Sequence, residues 1–135
     1  MARSSRGALS FALILFLSLL ACGGDDQGVR FDEGRLPSSV PRDFPLPPAS
    51  TIGETLVDTA HDRTEFSLAI ESDLPSVVQF FTIELVNQGY LIDRSQSLSQ
   101  TTWRLSFQRG DLTGEILVSS DGGGASQAVV SMGNA

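Results

Sequence analysis

The chain has 135 residues, of which 41% are hydrophobic and 19% charged, enough for one globular domain and too apolar for a disordered chain. Sixteen acidic residues against 9 basic ones give a net charge of −7, and there is one His and one Cys. These counts exclude a disulfide framework, a Cys/His zinc site and a generic phosphate-backbone binder.

The first segment, Met1 to Arg6, carries Arg3 and Arg6 and no acid. An uncharged run from Ala8 to Leu20 follows. A spanning helix needs about 20 apolar residues and the apolar region of a secretion signal about 7–15, so this run fits the signal. It ends in Leu19-Leu20-Ala21-Cys22, which resembles the lipobox of bacterial lipoproteins: aliphatic, tolerated, small, then the invariant Cys. The resemblance implies a signal peptide over 1–21, cleavage between Ala21 and Cys22, and a diacylglycerol on the Cys22 thiol. Two or three acyl chains would hold the protein to a membrane, where one chain binds only marginally. Gly23, in place of the Asp associated with inner-membrane retention, implies the outer membrane in a Gram-negative cell and otherwise the outer face of the cell membrane. Removal of Arg3 and Arg6 takes the net charge from −7 to −9.

Residues 22–39 read as the lipidated Cys and a flexible acidic tether. Gly23, Gly24, Gly28 and Gly34 alternate there with Asp25, Asp26, Asp32 and Glu33, and a segment of this kind spans at most roughly 60 Å. Residues 40–48 hold Pro41, Pro45, Pro47 and Pro48, which force an extended backbone. Val40, Phe44 and Leu46 are expected to pack this strap across the domain that follows.

From residue 49 the periods become regular. Thr51 to Val57 and Thr64 to Ile70 alternate as two strands, with Phe66, Leu68 and Ile70 on one face. Ser72-Asp73 offers an N-cap before Leu74-Pro75, and Gly89 stands as the stop of a helix running to about Gln88. Leu74, Val77, Val78, Phe81 and Leu85 form its core stripe. Tyr90 to Ser95, Thr102 to Gln108, Glu115 to Ser119 and Ala128 to Met132 return to strand alternation, with Trp103, Leu105 and Phe107 sharing a face. The expected fold is α+β, a mostly antiparallel sheet with one main helix on one face in the order ββαββββ, over residues 49–135. The stretch 73–119, with Gln88-Gly89-Tyr90 at the helix exit, weakly resembles the helix-grip modules of small envelope lipoproteins, and no functional residue carries over from it.

Catalytic motifs are missing. There is no nucleophile elbow, P-loop, dinucleotide fingerprint or His pair at metal spacing. His61, the sole imidazole, falls in a polar turn beside Asp62 and reads as solvated. Gly122-Gly123-Gly124 lies between two strands with no helix or Lys behind it, which makes it a hairpin and not a phosphate cradle. No cofactor and no metal are expected, and the acidic charge argues against nucleic acid.

The informative oddity is on the helix. Phe80, Ile83 and Asn87 fall opposite the core stripe with Val86 flanking, where a one-sided helix should be polar. They form the candidate partner interface, for an envelope protein or a second copy, unless the strap covers them. The expected role is therefore a non-catalytic protein-binding or scaffold module on a lipid anchor, using the Phe80/Ile83 face or a sheet edge to engage another envelope protein. The alternative is a carrier or sensor of a small apolar ligand or lipid held between helix and sheet, and a small envelope hydrolase ranks third.

Overall fold

A computed structural model describes residues 28–135. The signal segment and the candidate lipidation and cleavage residues Ala21 and Cys22 lie outside the described residues. The strands are β1 (Val29–Glu33), β2 (Ser50–Asp58), β3 (Arg63–Ile70), β4 (Leu91–Ser97), β5 (Thr102–Arg109), β6 (Leu112–Ser120) and β7 (Ser126–Asn134). A single helix, α1 (Leu74–Asn87), joins β3 to β4. All seven strands form one antiparallel sheet in the order β1-β2-β3-β7-β6-β5-β4. The α+β class and the single helix are as the patterns predict.

Every strand read from the sequence is present, and there is one more. Residues 29–33 were expected to be tether, but they pair with β2 in register from Val29↔Asp58 to Glu33↔Glu54. The reason is legible afterwards: Val29-Arg30-Phe31-Asp32-Glu33 begins as an apolar–charged alternation, and β2 otherwise ends the sheet with an unpaired edge. Residues 23–28 are therefore all of the expected tether that precedes the first strand.

One face of the sheet forms the core. Phe66, Leu68 and Ile70 of β3, Ala128, Val130 and Met132 of β7, Ile116 and Val118 of β6, and Leu105 and Phe107 of β5 are all buried. The Gly114 position lets the Phe107 ring lie across β6: a Cβ there would collide with that ring and sit 2.7 Å from the Ser131 carbonyl oxygen. The opposite face turns Glu65, Ser67, Glu115 and Val129 outward.

The helix begins where the sequence places it. The Asp73 carboxylate accepts the Ser76 backbone N–H at 3.0 Å, and Ser76, through its side chain and then this N–H, holds the carboxyl below its usual range. Gly89 ends it with φ +84°, a conformation that a Cβ disfavours. Leu74, Val77, Phe81 and Leu85 are buried, with Val78 packed at the margin. The helix packs on β4, β5 and β6.

The proline strap completes the same core layer. Val40 and Phe44 are buried and Leu46 is packed against them. The Phe44 ring lies 6.0 Å from Phe66, 5.9 Å from Tyr90 and 5.6 Å from Phe107, bridging β3 to β5. Ser39 Oγ and Thr64 Oγ1, 2.6 Å apart, fix the strap to β3. The strap is thus an inner part of the domain, and a boundary at residue 49 cuts the core.

Candidate functional site

The outer face of α1 is less uniform than its sequence suggests. Ile83 and Val86 are exposed, at 48% and 56%, and Asn87 is exposed beside them. Phe80 departs from the expectation: it is half-buried, packed against the core and set edge-on to Phe81 with ring centroids 5.4 Å apart. At 240° around the helix from Leu74 it lies at the flank and not at the crest, so a bulky ring folds down toward the layer below. The apolar crest available to a partner reduces to Ile83 and Val86.

A larger apolar feature lies on the other flank of the helix. Leu74, Pro75, Val78 and Gln79 form one wall of a trough of about 410 Å³, and Ser97, Ser99, Gln100 and Trp103 of the β4–β5 hairpin form the other. No charged side chain lines it. Trp103 is only partly buried, and its indole N–H donates to Ser95 Oγ at 2.9 Å. That bond fixes the ring in the hairpin wall of the trough and satisfies the one polar atom of the ring that would otherwise disfavour apolar contact. The hairpin tip is tied by Leu98 N–H to Thr102 O at 2.9 Å and by Ser97 Oγ donating to Ser99 O at 2.8 Å. Alternation from this narrow pair turns the N–H and C=O groups of Ser95 and Ser97 away from β5. Since β4 ends the sheet, these groups border the trough as an open strand edge.

The remaining candidates resolve differently. His61 is exposed, its Nδ1 2.7 Å from Asp58 Oδ2, and this hydrogen bond lowers the Asp58 carboxyl. A shallow hollow of about 430 Å³ next to it is lined by Asp93, Ser106, Glu115 and Ser131 among others. Among the described residues no three His, Cys, Asp or Glu side chains group as metal ligands. The glycine-rich turn is a hairpin: Asp121 Oδ1 accepts the N–H groups of Gly123 at 2.8 Å and Ala125 at 3.3 Å, so the turn's amides face its own carboxylate.

Comparison with known proteins finds no matching family model, no matching curated protein and no matching solved structure. The site therefore has to be read from its own chemistry. The residues that line the trough are not singled out by the sequence, because Trp103 alternates with Leu105 and Phe107 as core positions do. The available signal was the residue type, because a Trp at a strand end with Ser two residues from a hairpin turn keeps a polar tip that needs a partner. Phe31, 76% exposed on β1, was missed together with its strand.

Proposed function

We propose that this chain is a bacterial envelope lipoprotein, held to the membrane by acyl chains on Cys22, whose domain is a non-catalytic binding module for another envelope protein. The observation that supports this reading is the uncharged trough between α1 and the β4–β5 hairpin, bordered by the open edge of β4. Such a surface offers what peptide recognition by strand addition requires: main-chain donors and acceptors for affinity and an apolar pocket for one side chain. Ile83 and Val86 are exposed farther along α1, outside the trough. Among the described residues no helix is long and apolar enough to cross a membrane.

A second reading has its own observation. The trough volume of about 410 Å³ is in the range of small-molecule pockets, about 300–1,000 Å³, which fits carriage of a small apolar ligand. A photo-crosslinking residue at Gln79, in cells producing the full chain, separates the two. An adduct heavier by a protein mass, lost when Val78→Asp places a carboxylate in the trough, supports the binding module. An adduct heavier only by a lipid-sized mass moves the assignment to a carrier. No adduct at Gln79 with one at Ile83 would shift the interface to the helix crest.

A further inference from the structure

β1 changes where the domain sits. Residues 23–28 are all that separate Cys22 from Val29, and seven backbone steps extend at most about 25 Å. With Cys22 acylated, the reading proposed above and the one on which this inference rests, the β1 edge stays within that distance of the bilayer at all times. The anchor therefore holds one particular corner of the domain at the lipid surface, at the high local concentration of a short tether.

That corner carries Phe31, the one aromatic among the exposed large apolar side chains of the described residues. Val29 shares its strand face and is also exposed. Phe31 pairs with Leu56 across β1–β2, and with Leu56 and Val129 it lines a hollow of about 200 Å³ on the sheet face away from α1. Glu33, Glu54 and Asp58 share Phe31's strand face and Glu54 and Glu65 line the same hollow, while Arg30 and Asp32 alternate to the opposite face, so the contact rests on the apolar side chains and not on charge.

We infer that the β1 edge is a lipid-contact surface, with Phe31 seated at the headgroup–acyl boundary of the bilayer that holds Cys22, and Val29 and Leu56 beside it. One aromatic ring binds a membrane weakly from solution, but here the acyl anchor supplies the encounter and the ring needs only to orient the domain. The sheet order puts β4 at the far edge. Six inter-strand spacings of about 4.8 Å set it some 29 Å from β1. The trough then opens away from the lipid, toward a partner in the envelope.

The test uses the full chain, purified from membranes and reconstituted in vesicles of phosphatidylethanolamine and phosphatidylglycerol bearing shallow brominated acyl chains. Trp103→Phe removes the native fluorophore, and Phe31→Trp or Leu91→Trp places one at either edge of the sheet. Mass spectrometry of the Cys22 peptide is run on every sample. Quenching at position 31 about twofold or more above that at position 91 is expected for a ring held at the acyl boundary. Equal quenching at both positions in an acylated protein overturns the lipid contact and leaves the anchor intact. An unmodified Cys22 overturns the anchor and this inference with it. A dimer in sedimentation that dissociates with Phe31→Asp assigns the edge to a second copy and also overturns the lipid contact.

Discussion

Arg109 of β5 grips Asp43 of the proline strap through two parallel hydrogen bonds, Nη1 to Oδ2 at 2.8 Å and Nη2 to Oδ1 at 3.0 Å. The same Nη1 donates to the Gln88 carbonyl at 2.8 Å, an acceptor left over at the helix C-terminus. The guanidinium carbon lies 4.1 Å from the centre of the Tyr90 ring. One side chain thus ties strap, helix end and sheet together in a geometry that only a planar fork supplies. Arg109→Ala is expected to lower unfolding free energy by about 1–2 kcal/mol, with solvent screening of the partly exposed pair holding it to that range. Arg109→Lys should recover less than half of the loss, because it cannot engage both carboxylate oxygens. Urea denaturation of the three proteins reads both differences.

The same pair sets a pH dependence. The hydrogen bond from Arg109 holds the Asp43 carboxyl below its ordinary value. A carboxyl depressed in the folded state stabilises it above the unfolded value, about 3.9, and loses that contribution as pH falls through the lower folded value. Asp43→Asn should therefore melt below wild type at about pH 6, and the gap should narrow as pH falls below about 4. Thermal melts across that range check it; a gap that is constant with pH would mean that Asp43 acts only by packing.

Phe44 tests whether the strap is structural. Its ring touches the faces or edges of Phe66, Tyr90 and Phe107 and is almost fully buried. Truncation to Ala is expected to cost about 3–5 kcal/mol, a large share of the roughly 5–15 kcal/mol available to a domain. A fragment beginning at residue 49 lacks this ring and Val40 altogether and should lose its cooperative unfolding transition, whereas Pro48→Ala, at an exposed position, should change little. Circular dichroism during heating distinguishes the three.

The alternation of Phe66, Leu68 and Ile70 and the helical spacing of Leu74, Val77, Phe81 and Leu85 were readable because each element has one buried face, and period alone reports that. Asp73 and Gly89 were readable because capping is local chemistry. The strand at Val29–Glu33 was not, since all five residues are exposed and the acids and glycines around them look like a linker. The trough escaped for a related reason. It is a gap between Val78 and Trp103, which are 25 positions apart in sequence, and no local pattern encodes the distance between two elements. Trp103 and Phe107 alternate alike in sequence, yet Phe107 lies over Gly114 while Trp103 is only partly buried at the margin of the core, facing Leu74 and Val78 across the trough.

Phe80 and Phe81, adjacent in sequence, separate burial from position on the helix. Phe81 is fully buried, and Phe81→Asp places a carboxylate among Phe, Leu and Val side chains with no partner, which should abolish folding. Phe80 lies edge-on to Phe81 at the margin of the core. Phe80→Asp therefore loses packing area but leaves its charge within reach of water, and an intermediate loss of about 1–2 kcal/mol with retained cooperativity is expected. Ile83→Asp, on the exposed crest, should stay within about 0.5 kcal/mol of wild type. Equilibrium urea melts of the three variants measure the series. Equal, small effects for Phe80→Asp and Ile83→Asp would return Phe80 to the exposed face and enlarge the candidate interface; a Phe80→Asp protein as unfolded as Phe81→Asp would remove it from that interface altogether.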